Sequence, residues 1–462
     1  PARPMSERFT VLVMAAGRGT RMRSSIPKVL HPICGKPMVR WVIDAARAAG
    51  AWEVLCVTRP GDGVAEGLPD GVNVAEQRAG EGTGAAVLAA REAVGEAGSL
   101  LVLSGDHPLL SRELIAGLMD THRAQGAAAT ILTTEELDPA GYGRIVRDAG
   151  GSVERIVETK HTEGVSDGVL STREINLGTY AFEAGELWAA LDDVEEERGE
   201  RYLTGVFPLL RERGDTVVAH STRDVSSSVG VNDRVGLMDA DRLAQRQIIE
   251  HHARAGVTFL APDSVRVEVG VEIGEDTTIC PATTLRGATR VGPNCEIGPV
   301  TTITDCTLGD GVRALHSFMA GAVVDDGASL GPFAYLRPGA HICAGAKIGT
   351  FVEIKNSEVG AGAKVPHLSY IGDTDVGEGA NVAAGNITAN YDGFAKHRTV
   401  IGKDAKTGVH ASYVAPVRVG EGAYIAAGSV ITEDVPDGAL GISRPDQKNV
   451  EGYAERIEKE RG

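Results

Sequence analysis

Aromatic side chains are scarce in this sequence. Phe, Trp and Tyr make up 4% of its 462 residues, while glycines number 59. That combination disfavours an ordinary helical bundle and points to a glycine-punctuated architecture. A basic surplus is also missing: 46 Lys and Arg stand against 63 Asp and Glu, a net charge of −17. A nucleic-acid binder normally carries a basic face, so no nucleic acid is expected as a partner; local basic clusters can still hold small anions. The six cysteines (Cys34, Cys56, Cys280, Cys295, Cys306, Cys343) contain no C-x-x-C pair. Their spacing fits neither a zinc motif nor a disulfide framework, and reduced thiols are expected. No stretch reaches the ~18 apolar residues of a membrane span, and the opening PARPMSERF has no apolar signal core. The expectation is a cytoplasmic protein of two or three domains.

Apolar residues are plentiful, at 42%. In the first half they form nearly continuous runs: FTVLVMA (Phe9–Ala15), EVLCVT (Glu53–Thr58), SLLVLSGD (Ser99–Asp106) and AAATILT (Ala127–Thr133). Such runs suit strands covered on both faces, as in a parallel sheet. Helix-like stretches lie between them, at Met38–Gly50 and Gly84–Val94. Alternating strand and helix predicts an α/β layer fold whose ligands collect at strand ends.

One such end is MAAGRGTRMRSSIPKVL, Met14 to Leu30. Gly17 and Gly19 let backbone N–H groups approach an anion. The dinucleotide fingerprint is absent, since Met22 stands where its third glycine belongs, and no G-K-[ST] follows as in a P-loop. Arg21 and Lys28 add two cations, and Pro27 stiffens the backbone before Lys28. Two fixed cations beside a glycine loop suit a triphosphate under attack at its α-phosphorus. Asp106, at another strand end, is a candidate metal ligand; His107 beside it is not, because magnesium prefers oxygen.

The segment Asp233–Gly256 is polar with few breakers and reads as a helical arm. The division expected is 1–234, a helical linker at 235–256, and 257–462. In the last part aliphatic residues fall every sixth position: Val267, Ile273, Ile279, Leu285, Val291, Ile297 and Ile303, then Leu330 to Ile354, then Tyr413 to Ile431. A period of six belongs to a parallel β-helix built from hexapeptides, one flat side per six residues and one coil per eighteen. Narrowness of that prism accounts for the few rings. Function is then expected where the repeat breaks, at Asn386–Thr399. Arg337, Lys355 and His367 are separated by multiples of six, so they could line one groove.

The combination A-A-G-x-G-T-R-M with P-K-V-L resembles the signature of the sugar-phosphate nucleotidyltransferases. More of the chain is similar to the bifunctional N-acetylglucosamine-1-phosphate uridyltransferase/glucosamine-1-phosphate acetyltransferase family. The resemblance implies that Met14, Ala15, Ala16, Gly17, Lys28, Gln77, Gly82, Thr83, Ser104 and Gly105 bind the nucleotide. It implies sugar contacts at Gly143, Glu158 and Asn176. Asp106 and Asn232 become the Mg²⁺ ligands, with Arg21 and Lys28 catalytic beside them. In the second half it implies a left-handed β-helix, with Arg337, Lys355, Tyr370 and Asn381 on the sugar phosphate. Ala384, Asn390, Tyr391, Val409, Ala427 and Arg444 fall at acetyl-CoA positions, and His367 is the general base. A sugar ammonium cannot attack a thioester until it loses a proton, and imidazoles titrate in the useful range. UTP and acetyl-CoA are the implied cosubstrates, and a homotrimer supplying UDP-N-acetylglucosamine for bacterial cell-wall polymers is the implied setting. The family's pattern is broken at Ala85, Ser104, Gly205 and Val409. Two alternatives stay open: a nucleotidyltransferase for another sugar-1-phosphate with a structural or regulatory hexapeptide tail, and a non-catalytic interaction protein of the same layout.

Overall fold

The computed structural model describes residues 8–96, 98–159, 164–224 and 229–462. The chain divides into two compact units, one up to Arg246 and one from Gln247 on.

In the first unit the apolar runs become strands. We number them β1 (Phe9–Met14), β2 (Glu53–Thr58), β3 (Asn73–Glu76), β4 (Ser99–Ser104), β5 (Ala129–Thr134), β6 (Arg144–Arg147), β7 (Val153–Val157), β8 (Ile175–Glu183) and β9 (Val217–Ser221). The sheet runs β9-β5-β8-β4-β1-β2-β3, and the β6/β7 hairpin joins it at β8. Strands β4, β1, β2 and β3 are mutually parallel, as are β5 and β9. Strand β8 runs against both its neighbours β4 and β5, so the sheet is mixed. The runs are continuous because both faces are covered: Leu12 packs into one apolar cluster with Leu100 and Phe182, while Val11 and Val13 pack into another with Ile43 and Leu118. The expected helix at Met38–Gly50 spans Met38–Ala48, and that at Gly84–Val94 is broken into Thr83–Leu88 and Arg91–Val94.

The predicted arm is a helix, Arg234–Arg254. The unit boundary falls within it, not at both ends of a separate linker. Its first turns belong to the first unit: Asp241 Oδ1 accepts from Cys34 N at 3.0 Å, Arg234 Nε donates to Met22 O at 3.2 Å, and Ala240 and Ala244 are buried. Among the described residues, no helix is long and apolar enough to cross a membrane.

The second unit is a stack of three sheets of two- to four-residue parallel strands. Each strand pairs with the strand one coil later. One such chain runs Val267, Leu285, Ile303, Met319, Leu336, Ile354, Ile371. All the hexad aliphatics named above are buried in one continuous core. Between Ile303 and Leu330, where the period of six fails, Leu308, Ala314, Met319 and Val324 take over the inward positions, and steps of five are mixed with steps of six. The prism therefore continues through the apparent gap. Each inward aliphatic contributes on the order of 1.5–3 kcal/mol of burial. Tyr413 is the one ring among the hexad positions; its hydroxyl, buried with it, donates to Asn386 Oδ1 at 2.9 Å. The loop between them lengthens one coil, so that Thr388 pairs with Tyr413, twenty-five residues on, without loss of register.

Candidate functional site

In the first unit a cavity of about 630 Å³ opens at the carboxyl ends of β1 and β4. Of the nucleotide- and sugar-side candidates, it is lined by Met14, Ala16, Gly17, Arg21, Lys28, Gln77, Gly82, Thr83, Ser104, Asp106, Gly143, Glu158, Asn176 and Asn232. Ala15 and Gly105 lie behind the lining: Ala15 N donates to Val57 O, and Gly105 N to Met14 O, both at 2.9 Å. These bonds lock the strand ends together.

The glycine loop earns its shape by folding back on Lys28. Gly19 has φ +58°, and a Cβ there would lie 2.7 Å from the Lys28 Cβ. Side chains rarely adopt that φ, so only glycine suits both demands. Gly82 is a second such point, at φ +96°, where a Cβ would meet Arg201 O at 2.4 Å. Thr83 Oγ1 next to it accepts from Leu203 N at 2.9 Å. On the sugar side, Asn176 Nδ2 donates to the Tyr180 hydroxyl at 2.7 Å, and Glu158 Oε1 accepts from Thr204 at 3.1 Å.

Two oxygens and two cations converge in the cavity. Lys28 Nζ donates to Asp106 Oδ2, with both side chains largely out of solvent. Arg21 Nη2 donates to Asn232 Oδ1 at 2.8 Å. Asn232 reaches a site built more than a hundred residues earlier because Val231 N donates to Asp106 O at 2.9 Å. Ser104 Oγ donates to Asp106 Oδ1 at 2.6 Å, and His107 Nδ1 stands 2.9 Å from the same oxygen without the alignment of a hydrogen bond. Burial works to raise the Asp106 carboxyl; His107 and Lys28 outweigh it and hold the group well below the usual carboxylate range. Asp106 is therefore an anion at any physiological pH.

In the second unit the candidates form two columns, set by stacking of successive coils. His367 O accepts from Gly385 N at 3.2 Å, Ala384 O from His410 N at 2.8 Å, Val409 O from Gly428 N at 2.8 Å, and Ala427 O from Arg444 Nη1 at 2.9 Å. His367, Ala384, Val409, Ala427 and Arg444 thus climb one corner, and the His367 side chain is exposed. The other column holds Arg337 and Lys355. Arg337 Nη1 donates to Glu353 Oε1 at 2.8 Å, and Lys355 Nζ to Asp373 Oδ2 at 3.2 Å. Asp373 also accepts from Asn356 at 2.6 Å and from Asn390. Tyr370 lies along the side between the columns, its hydroxyl 3.4 Å from Asn390 Nδ2. Tyr391 is exposed and donates to Gly393 O at 2.7 Å within the inserted loop. Asn381 is further off, bridged to Lys364 and Lys406 on another sheet.

Residues 11–205 match the family of MobA-like NTP transferase domains. Over almost its full length the chain resembles proteins named bifunctional protein GlmU. It is 44% identical to that of Brevibacillus brevis over 450 residues, covering 96% of this chain and 97% of the relative. For Caldanaerobacter subterraneus the figures are 44% over 459 residues, 98% and 100%; for Enterococcus faecalis, 42% over 457 residues, 98% and 99%. The chain belongs to the GlmU family. The fold matches the expected class: a nucleotidyltransferase domain followed by a parallel β-helix.

Within this GlmU family member, some contributors to the sites were not singled out from sequence. Arg59 ties the glycine loop to its neighbour, donating to Ala16 O and Glu81 Oε2, both at 2.6 Å. Lys396, in the inserted loop, faces Lys355, whose charge together with that of Arg337 lowers its ammonium below the usual lysine range. Its only sequence signal was position inside the loop that breaks the repeat. Two departures from the family pattern have structural meaning here. Ser104 holds the Asp106 carboxylate. At Gly205 a Cβ would lie 2.8 Å from Val194 Cγ1, so Val194 fills the space a side chain would need.

Proposed function

We propose that the hexapeptide unit acetylates glucosamine-1-phosphate with acetyl-CoA, and that the N-terminal cavity then joins UMP from UTP to N-acetylglucosamine-1-phosphate. The products are UDP-N-acetylglucosamine and pyrophosphate, for bacterial cell-wall precursors, with cytoplasmic substrates at both steps. The observation that carries the first-unit assignment is the crossed pairing of Lys28 with Asp106 and Arg21 with Asn232.

Two hard oxygens facing one cavity, one of them a buried carboxylate, are the donor type magnesium takes, so Asp106 and Asn232 fit that ion. Bound there with substrate phosphates, it would supply positive charge that offsets the repulsion between two anionic reactants. Lys28 and Arg21 now satisfy those oxygens; on nucleotide binding they turn to phosphate oxygens and take up charge on the leaving pyrophosphate. The sugar-phosphate oxygen attacks the α-phosphorus directly, with Asn176 and Glu158 orienting the sugar. In the second unit Arg337, Lys355 and Lys396 hold the sugar phosphate. His367 Nε2 or Nδ1 takes the proton from the sugar ammonium, and the freed amine attacks the thioester carbonyl beside the Ala384–Arg444 column; the C–N bond forms, the C–S bond breaks, and coenzyme A leaves as its thiolate.

A fragment ending at Arg246 should make UDP-N-acetylglucosamine from UTP and N-acetylglucosamine-1-phosphate, and should not acetylate. One ending at Arg234 loses the Asp241 bond and two buried alanines, roughly 2 kcal/mol. Its Tm should be lower by about 4–8 °C. A folded but inert longer fragment contradicts a self-contained uridyltransferase; equal Tm values contradict the docking of the helix. With the full chain, omitting glucosamine-1-phosphate, acetyl-CoA, UTP or Mg²⁺ in turn separates this reading from a transferase for another sugar.

We further propose a homotrimer. Supporting it is a row of exposed apolar groups beside the His367 corner: Val300, Phe333, Phe351 and Leu368. All four sit at left-handed φ between 50° and 60°, and the Phe333 and Phe351 rings stack at 5.2 Å. Strained backbone that presents apolar side chains to water suits a surface covered in the assembly. Phe333→Asp/Phe351→Asp should sediment as a monomer while the unaltered chain sediments as a trimer; a double variant that remains trimeric removes this face from the interface.

A further inference from the structure

On the hexapeptide unit, away from both columns, stands a group of side chains that the acetyl-transfer chemistry does not use: Asp325, His341, Cys343 and Glu358. Strand register explains why they meet. Val323 pairs with His341 and Val324 with Ile342, which sets Asp325 beside Cys343 on the next coil. His341 pairs in turn with Glu358 on the coil after that. Ile342 between them is buried in the aliphatic core, whereas His341 and Cys343, the latter just past the strand His341–Ile342, are each partly exposed. His341 Nε2 lies 2.9 Å from Asp325 Oδ2, and its Nδ1 lies 3.5 Å from Glu358 Oε2. Donor atoms of Asp325, His341 and Cys343 lie within 4.8 Å of one another, and no other such group of three occurs among the described residues.

A histidine between two carboxylates is by itself an ordinary surface ion pair. The thiol makes this group different. Cys343 adds a sulfur donor to the imidazole and the Asp325 carboxylate, and a divalent cation held by all three would also offset the two acidic side chains that flank His341. Sulfur, nitrogen and oxygen together are the donor set of zinc; magnesium and calcium take oxygen alone. Tetrahedral bonds of about 2.0–2.3 Å place donors roughly 3.5 Å apart, so side chains on exposed rotamers need to close by about 1 Å.

We infer that Asp325 Oδ2, His341 Nε2 and Cys343 Sγ form a zinc(II) site that clips two coils together. The fourth position faces solvent, and Glu358 fixes the imidazole. Binding releases the Cys343 thiol proton to solvent and leaves the imidazole proton on Nδ1, where Glu358 accepts it. A carboxylate behind a ligating histidine is the usual arrangement that sets tautomer and ring orientation. Spacing in the sequence could not show this site, because the three ligands come from two coils and only stacking joins them.

The test uses the full-length chain and cobalt(II), whose bonds to thiolates give a charge-transfer absorption. That band is expected for the unaltered protein and absent for Cys343→Ser. The other five cysteines are buried; a band that survives Cys343→Ser, or no band at all, overturns the inference. Zinc competition against a chromophoric chelator should show Glu358→Gln weakening the site by about 10- to 100-fold, and Asp325→Asn weakening it as well. Unchanged zinc affinity in both variants assigns any tight zinc to a different place and also overturns it. Circular dichroism of each variant checks the fold.

Discussion

Asp106→Ala should lower uridyl transfer by at least ~10³, the scale of losing a charge-stabilising group at a phosphoryl centre, and leave acetylation at its normal rate. Three contacts make the carboxylate hard to replace, since Lys28, Ser104 and His107 all surround it; the backbone oxygen of the same residue, which the substitution leaves in place, carries the Asn232 segment through Val231. Removing the side chain takes the carboxylate from beside Lys28 and leaves that ammonium, itself little exposed, without its partner. Breaking a buried pair from one side costs several kcal/mol in general, so the alanine variant may not be compared without a fold check. Asp106→Asn keeps the shape and one oxygen while removing the charge; it should fold normally and still lose most uridylation. Steady-state rates of both half-reactions, across a magnesium titration, decide the matter. Near-normal uridylation by either variant would mean that Asp106 does not hold the metal.

His367→Ala should lower acetyl-transfer turnover by something on the order of 10²–10⁴, the usual contribution of a positioned general base. The side chain is exposed at the foot of the Ala384–Arg444 column, where an amine and a thioester can reach it. Arg337 and Lys355 cannot substitute: both are cations committed to carboxylates, and the Arg337 guanidinium is held still higher by Glu353. Sugar-phosphate binding should therefore change little in His367→Ala, whereas Lys355→Ala should weaken it strongly. Uridylation should be untouched in both. Separate kcat and KM values for the acetylation step distinguish the two variants. Wild-type acetylation by His367→Ala across pH 6 to 9 would falsify the base assignment and leave the histidine a structural corner residue.

Much of this was legible because two signals were local. A six-residue period needs only inward aliphatics to be visible, and all its members are in the core. The glycine loop was legible because Gly19, Pro27 and Lys28 are constrained within a dozen residues of one another. Other features depended on partners far away in sequence. Strand β8 turns the sheet from parallel to mixed by running against β4 and β5, and strand direction is set by that pairing, which the composition of Ile175–Glu183 does not carry. The phase gap between Ile303 and Leu330 hid a continuous prism, because a five-residue side is possible wherever Ala314 or Met319 fits inside. Arg59 belongs to no motif, and only the fold brings it to Ala16 and Glu81. Lys396 gave no signal beyond its loop, since what it faces is decided by how one lengthened coil folds over Lys355.

The corner column has a further consequence. A solenoid coil is supported only by its neighbours, so opening starts at the free end and moves inward. Arg444 lies just beyond the last strand, Leu440–Gly441, and the residues after it are exposed apart from the half-buried Ile457. Its hold on Ala427 is thus made at the part of the stack most prone to fray. A coenzyme bound along that corner, as proposed above, would bridge the fraying end to the firmly stacked coils beneath it, and ligand occupancy and end-coil closure would then be one linked equilibrium.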